Sequence, residues 1–264
     1  MVVHCTEKVK SVPHYLSLSS NTIRRMIPKT IHYCWYGGKP MAPMLQECLE
    51  SWKQHLPEYQ TVCWNESNSP LDACPFVREA FRLKKWAFVS DYVRIHALHE
   101  HGGVYMDTDM LILKPLDSLL GHRAFAGFQD EKEVAFGIFG AERLHPFVTA
   151  CLRWYQSATF DPQKPPIIPE VISMLFCNHG LTTNARQSVC GVELYPMEYF
   201  YPWPFVGHKD NSDFRSFIKP ESFAVHLWNH SWKPPTPLKT RIVRFVKPFV
   251  PALAKRLLHR CRAS

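Results

Sequence analysis

The sequence predicts a layered α/β domain. Three observations carry that expectation: strand-like and helix-like stretches alternate along the chain, glycine pairs at Gly37-Gly38 and Gly102-Gly103 punctuate them, and the composition is globular, with 46% hydrophobic and 20% charged residues. At 264 residues the chain is long enough to bury one substantial core. Ile27 to Gly38 has the β-branched and aromatic content of a first strand entering a Gly-Gly turn. From Pro43 to His55, Met44, Leu45, Cys48, Leu49 and Trp52 recur at three- and four-residue spacing, which is an amphipathic helix, and Pro57 closes it. Tyr59 to Trp64 forms a short strand before the loop residues Asn65 to Pro70. A long helical pattern in one or two pieces runs from Pro75 to His101, with Trp86, Val89, Val93 and Leu98 apolar and Gly102-Gly103 ending it. The next strand runs into Asp107-Thr108-Asp109 and stops at Lys114-Pro115-Leu116-Asp117. Phe125 to Phe128 and Val134 to Phe139 are strands joined by a charged turn, His145 to Tyr155 is a helix, and Pro165 to Pro169 and Tyr195 to Pro204 are proline-punctuated surface loops. A last apolar strand starts at Ala224. These boundaries divide the chain into a leader (1–26), a body (27–232) and a basic tail (233–264).

Nine cysteines, an odd number without Cys-x-x-Cys pairs, argue against a disulfide framework or zinc knuckle. No stretch approaches the length of a membrane span, and the polar N-terminus lacks a signal peptide's apolar segment, so a cytoplasmic location is expected. The net charge of +8 belongs to the tail: from Ser222 onward there is no Asp or Glu and nine Lys or Arg, which leaves the body nearly neutral. Residues 238–260 interleave basic side chains with Ile242, Phe245, Phe249, Leu253 and Leu257, a pattern suited to an anionic membrane surface and hence to a peripheral position at the inner face of the cell membrane. A terminal helix packed on its own domain is the plainer alternative. No nucleic-acid module is recognisable, and no nucleic-acid partner is expected.

Asp107 and Asp109 lie two apart, so in an extended strand both carboxylates point to one side and can face one cation. Hard, oxygen-preferring Mg²⁺ or Mn²⁺ takes one or two carboxylates and fills its other positions with water and phosphate; a simple turn cap is the alternative. Asp91 and Arg94 share a face of the preceding helix. They read either as a surface ion pair or as a carboxylate for sugar hydroxyls beside a guanidinium for phosphate. Trp35, ahead of Gly37-Gly38 at a strand end, either stacks on a nucleobase or packs in the core. His226 is a structural histidine or the nitrogen ligand that completes the set begun by Asp109.

Together these segments resemble the DXD-containing glycosyltransferases of family 32, the group of the yeast initiating mannosyltransferases and of bacterial capsular and lipopolysaccharide sugar transferases, and more distantly the glucosylating domain of large clostridial toxins. The resemblance rests on Ile27-Pro28-Lys29-Thr30-Ile31-His32 with Trp35 and Gly37, on Ala87 to Arg94, and on Gly102 to Asp109 leading into Lys114-Pro115-Leu116-Asp117; it returns at His226 and Ser231-Trp232. It implies a GT-A type α/β/α nucleotide-sugar-binding fold with a mixed central sheet, and metal-dependent transfer, with retention, from a UDP- or GDP-sugar donor to a glycan or lipid-linked glycan acceptor, as in surface polysaccharide or capsule synthesis. On that resemblance Trp35 stacks on the donor base, Asp91 and Arg94 hold the donor sugar and its phosphate side, and Tyr105 lines the diphosphate. Asp107 and Asp109 serve ribose and metal, His226 is a metal ligand, and Ser231 and Trp232 close over the diphosphate. A metal-dependent phosphohydrolase with Asp107 as nucleophile, and a non-catalytic membrane-associated carbohydrate-binding protein, are the competing readings.

Overall fold

The computed structural model describes residues 26–205 and 213–229. The first strand, β1 (Thr30–Cys34), is followed by helix α1 (Pro43–His55), whose Pro43 occupies the first turn, where its missing N–H leaves no bond unmade. Strand β2 (Gln60–Trp64) leads to two helices, α2 (Pro75–Arg82) and α3 (Trp86–His101), so the long pattern from Pro75 is broken into two pieces. The break falls at Lys84, whose φ of 54° cannot continue a right-handed helix. Next come β3 (Gly103–Met106), β4 (Met110–Ile112), β5 (Ala124–Phe128) and β6 (Val134–Ala141). Helices α4 (Pro146–Ser157) and α5 (Ile168–Cys177), strands β7 (Gln187–Val189) and β8 (Val192–Tyr195), and finally β9 (Ala224–His226) complete the described elements.

Seven strands form one mixed sheet in the order β2-β1-β3-β6-β5-β8-β7, and β4 pairs with β9 in a separate two-stranded sheet. β1 is parallel to both β2 and β3, β6 runs antiparallel to β3 and β5, and β8 is parallel to β5. One face of the large sheet is covered by apolar residues of α2 to α5, including Phe76, Val93, Tyr155 and Phe176. The other carries α1, through Trp52 and Leu56, together with Met110 and Ile112 of β4 and the aromatic stretch around Phe200. This is the expected three-layer α/β/α arrangement with a mixed central sheet.

Two sequence expectations change. Asp107-Thr108-Asp109 is not in a strand: β3 stops at Met106, and Met110 N–H donates to Asp107 C=O at 3.0 Å, closing a turn that passes the chain from the large sheet to the small one. The prolines at 165–169 do not belong wholly to a loop. Pro169 sits in the first turn of α5, where proline is tolerated, and Ile168, Val171, Ile172 and Phe176 pack inward behind it. The leader and the tail lie outside the described residues.

The turn reaches its place because β3 starts on a glycine packed against β1. Gly103 has φ 105°, and a Cβ there would lie 2.5 Å from the Thr30 carbonyl oxygen, so only glycine fits. Beneath it, the buried His32 ring contacts the Gly102 carbonyl through Nε2 at 2.8 Å and the Trp64 indole N–H through Nδ1 at 3.2 Å. A carbonyl only accepts and an indole only donates, so the ring is neutral with its proton on Nε2. Burial pushes the His32 pKa down to about 4, and burial does the same to His145.

The unfolded chain therefore binds more protons than the folded one between about pH 6.5 and 4 at these two positions, and their contribution to stability is lost as the pH falls through that window. Each contributes up to about 3 kcal/mol by this linkage. His32→Gln is expected to flatten the fall in urea midpoint between pH 6.5 and 4.5. An unchanged slope would show that the ring charges freely in the folded protein.

Candidate active site

The turn after β3 lies beyond the carboxyl ends of the parallel strands β1, β2 and β3, where open α/β sheets place ligands. There Asp107, Asp109 and His226 each offer one ligand atom, and these atoms lie within 4.8 Å of one another. His226 arrives on β9, whose pairing sets Met110 opposite His226. Its Nε2 is 3.0 Å from Asp109 Oδ1 and 3.9 Å from Asp107 Oδ2. Asp109 is held from both ends: Asn229 N–H donates to its Oδ2 at 2.7 Å, and its carbonyl accepts from Leu227 N–H at 3.0 Å. Two carboxylates and an imidazole suit Mn²⁺ or Mg²⁺, with Mn²⁺ the more tolerant of nitrogen.

A buried charge network fixes the other flank. Arg94 and Asp91 are each 6% exposed, so they are no surface pair. Arg94 Nη2 is 3.1 Å from Asp91 Oδ1, and Nη1 lies 3.3 Å from Asp107 Oδ1 and donates to the Phe136 carbonyl at 3.1 Å. Its Nε donates to the Ser90 carbonyl at 3.2 Å, and its guanidinium stacks 4.5 Å from the Tyr105 ring centroid. The Tyr105 hydroxyl donates to Asp107 Oδ1 at 2.9 Å, and Asp107 N–H donates to the Gly137 carbonyl at 2.7 Å. A Cβ at Gly137 would sit 3.1 Å from both Asp107 Oδ2 and the Tyr201 hydroxyl. Glycine at that point leaves the carboxylate its place.

Burial pushes the Asp91 carboxyl up to about 7, against the pull of Arg94. Burial is also the largest influence on Asp109 and His226 and disfavours both charges. Their mutual attraction and hydrogen bond outweigh it, so Asp109 lies below the ordinary carboxylate range and His226 above the ordinary imidazole range. Asp107 is raised, first by burial and then, against the pull of Arg94, by the neighbouring Asp109 charge.

Two family profiles cover this framework. Residues 43–126 match the glycosyltransferase sugar-binding region containing a DXD motif, and residues 140–243 match the alpha 1,4-glycosyltransferase conserved region. By sequence the chain is similar to DXD glycosyltransferases. It is 29% identical over 153 residues to the lactosylceramide 4-alpha-galactosyltransferase of Rattus norvegicus, covering 53% of this chain and 40% of that protein. It is 25% identical over 157 residues to the human alpha-1,4-N-acetylglucosaminyltransferase, covering 56% and 44% respectively. The chain thus matches less than half the length of these curated relatives. Among solved structures it is similar to the PaToxG glycosyltransferase, at 16% identity and a TM-score of 0.44, covering 58% of this chain and 70% of that one.

The DXD profile takes in Asp91, Arg94, Tyr105, Asp107 and Asp109, and the alpha 1,4 profile takes in His226. The structure brings those six together. Trp35 stands apart, half-buried at the end of β1, with its indole N–H donating to the Lys39 carbonyl at 2.8 Å. It belongs to none of the described apolar clusters, which leaves the duller core role without support. Ser231 and Trp232 lie outside the described residues. The Arg94 N–H groups are directed at Asp91, Asp107 and the Ser90 and Phe136 carbonyls. Sequence reasoning missed Tyr201 and the backbone N–H of Asn229, and met Gly137 only as a point through which the family resemblance weakly continues, without a role. Only Asn229 carried a signal, its closeness to His226.

Proposed function

We propose that this chain is a metal-dependent, retaining glycosyltransferase that moves a sugar from a nucleoside-diphosphate-sugar to a glycan or lipid-linked glycan acceptor. The convergence of Asp107, Asp109 and His226 at the carboxyl edge of the sheet carries the reading. These three would hold Mn²⁺ or Mg²⁺, which neutralises charge on a diphosphate leaving group. Tyr105 and Arg94 orient Asp107, and Asn229 N–H orients Asp109, so the carboxylates are set before substrate arrives. Asp91, beside Arg94, is the acceptor for donor-sugar hydroxyls, and Trp35 is the stacking surface for the base.

Retention is inferred from the α linkages in the relatives' names, because the common nucleotide galactoses and N-acetylglucosamines are themselves α-linked. A front-face displacement is favoured over an enzyme-bound sugar. Asp130 Oδ1 accepts from the N–H groups of Lys132 and Glu133, and Glu133 accepts from the Gln129 amide, so these carboxylates hold the β5 to β6 turn. A phosphohydrolase with Asp107 as nucleophile is disfavoured, since it leaves Trp35 and Asp91 without a role. A lipid-bearing acceptor agrees with the basic, apolar tail and with the lactosylceramide in the relatives' names. Surface polysaccharide assembly, at the inner face of the cell membrane, is one setting that supplies such an acceptor.

The test is a panel of UDP- and GDP-sugars with and without Mn²⁺, read as thermal stabilisation and as hydrolysis or transfer. One nucleotide sugar should raise the melting temperature only with the ion, since ligand binding adds stability as RT ln(1 + [L]/Kd). Absence of any nucleotide-dependent shift would end the reading. Within that panel, Trp35→Ala is expected to weaken donor binding about tenfold, the scale of one base stacked on an aromatic ring. An unaltered donor Kd would remove Trp35 from the site. Deleting residues 238–264 should abolish binding to phosphatidylserine vesicles at physiological salt, whereas retained binding would separate the tail from the membrane.

No helix among the described residues is long and apolar enough to cross a membrane.

A further inference from the structure

The charge network and the triad leave one neighbouring feature without a role. Trp228, two residues beyond His226, has φ 50°, a left-handed conformation that is strained for a bulky side chain. The indole is nonetheless fixed. Its N–H donates to the Trp203 carbonyl at 2.8 Å, and its ring meets the His226 imidazole edge-to-face with centroids 4.0 Å apart. Phe205 stands edge-to-face to the same indole at 5.0 Å, and Tyr201 lies tilted at 6.1 Å. Trp228 packs against two of the apolar clusters but is only half-buried, and Phe205 is 38% exposed, so this cluster is not sealed core.

The cluster adjoins the triad directly. Arg94 and Asp91 touch the triad through Asp107, whereas Trp228 touches it through His226, and Asn229 reaches Asp109 from the same segment. A donor sugar held by Asp91 and a ring held by Trp228 would meet at the triad, whose three ligand atoms lie within 4.8 Å of one another. We propose that Trp228, with Phe205, forms an aromatic platform for a pyranose ring of the acceptor. A pyranose presents an apolar face of C–H bonds, and a ring with its polar N–H already bonded offers it a flat apolar surface. The strained backbone is the conformation that turns the indole toward His226 while Asn229 N–H stays on Asp109. This proposal deepens the glycosyltransferase reading and rests on it.

The experiment uses saturation-transfer NMR on the full chain with Mg²⁺ and UDP or GDP. The sugar probes are lactose, N-acetyllactosamine, chitobiose, cellobiose and methyl β-D-galactoside. Nucleotide affinity is measured in parallel by calorimetry, and if neither nucleotide binds, the glycosyltransferase reading itself fails. With nucleotide bound, at least one sugar should receive saturation on its axial C–H protons. Trp228→Leu should weaken that sugar about tenfold and Trp228→Phe should restore it to within about threefold, with nucleotide affinity changing less than about twofold in each. Phe205→Ala, at a more exposed position, carries the same test if Trp228→Leu does not fold. The platform is overturned if no sugar in the panel binds the wild type, if sugar binding is unaltered in both Trp228→Leu and Phe205→Ala, or if nucleotide affinity falls as far as sugar affinity.

Discussion

Asp109→Asn is expected to leave a folded protein whose metal-dependent transfer is reduced by about a thousandfold, or ~4 kcal/mol of transition-state stabilisation. The fold should survive because the amide oxygen can still accept from Asn229 N–H, the 2.7 Å contact that ties the turn to the segment after β9. What disappears is the charge. Calorimetry should show Mn²⁺ affinity collapsing in the variant, independently of any turnover. The His226 ring should also lose its principal anionic partner, so its pKa, followed by NMR, should drop from its raised position. Full activity with the true donor, or undiminished Mn²⁺ affinity, would remove Asp109 from the metal site.

Arg94→Met should produce the largest loss of stability, about 3–5 kcal/mol, because it strands buried partners instead of merely deleting a bond. Asp91, only 6% exposed, and Asp107 would both lose their cation, and the Phe136 and Ser90 carbonyls would lose a donor. Arg94→Lys separates stability from alignment. A lysine retains the positive charge but cannot donate in four directions at once, so it should recover most of the stability while activity stays about a hundredfold down. Urea unfolding checks the first statement, and kcat with saturating donor checks the second. A wild-type urea midpoint in Arg94→Met would show that the network is not a structural unit.

The distribution of these residues explains what could be read before the structure. The helix at Pro43–His55 was legible to the residue because its apolar spacing and its proline are local signals. Helix α5 was obscured because proline in a first helical turn reads in sequence like proline in a loop. Asp107, Asp109, Arg94 and Tyr105 stood out by sitting close together near a Gly-Gly stop. His226 could be suspected but not placed, since its distance to Asp109 is set by the pairing of β4 with β9, and that pairing has no local signature. The extended-strand argument for Asp107 and Asp109 reached a convergent pair by the wrong route: a turn, not the pleat, brings the two carboxylates together. The roles of Gly137 and Tyr201 were invisible for a related reason, because each matters only through atoms that another segment brings within reach.

The division of the strands between two sheets has a consequence for how this protein matures. Every described strand of the large sheet has been synthesised once the chain reaches Tyr195, and the acidic turn is by then already in place. Its histidine partner is not. A chain emerging from the ribosome can therefore complete its principal scaffold before Asp107 and Asp109 meet His226, and β4 waits for β9 to supply its other half. Premature termination between residues 196 and 223 would yield a molecule with the large sheet and the acidic turn but without the His226 that completes the cluster.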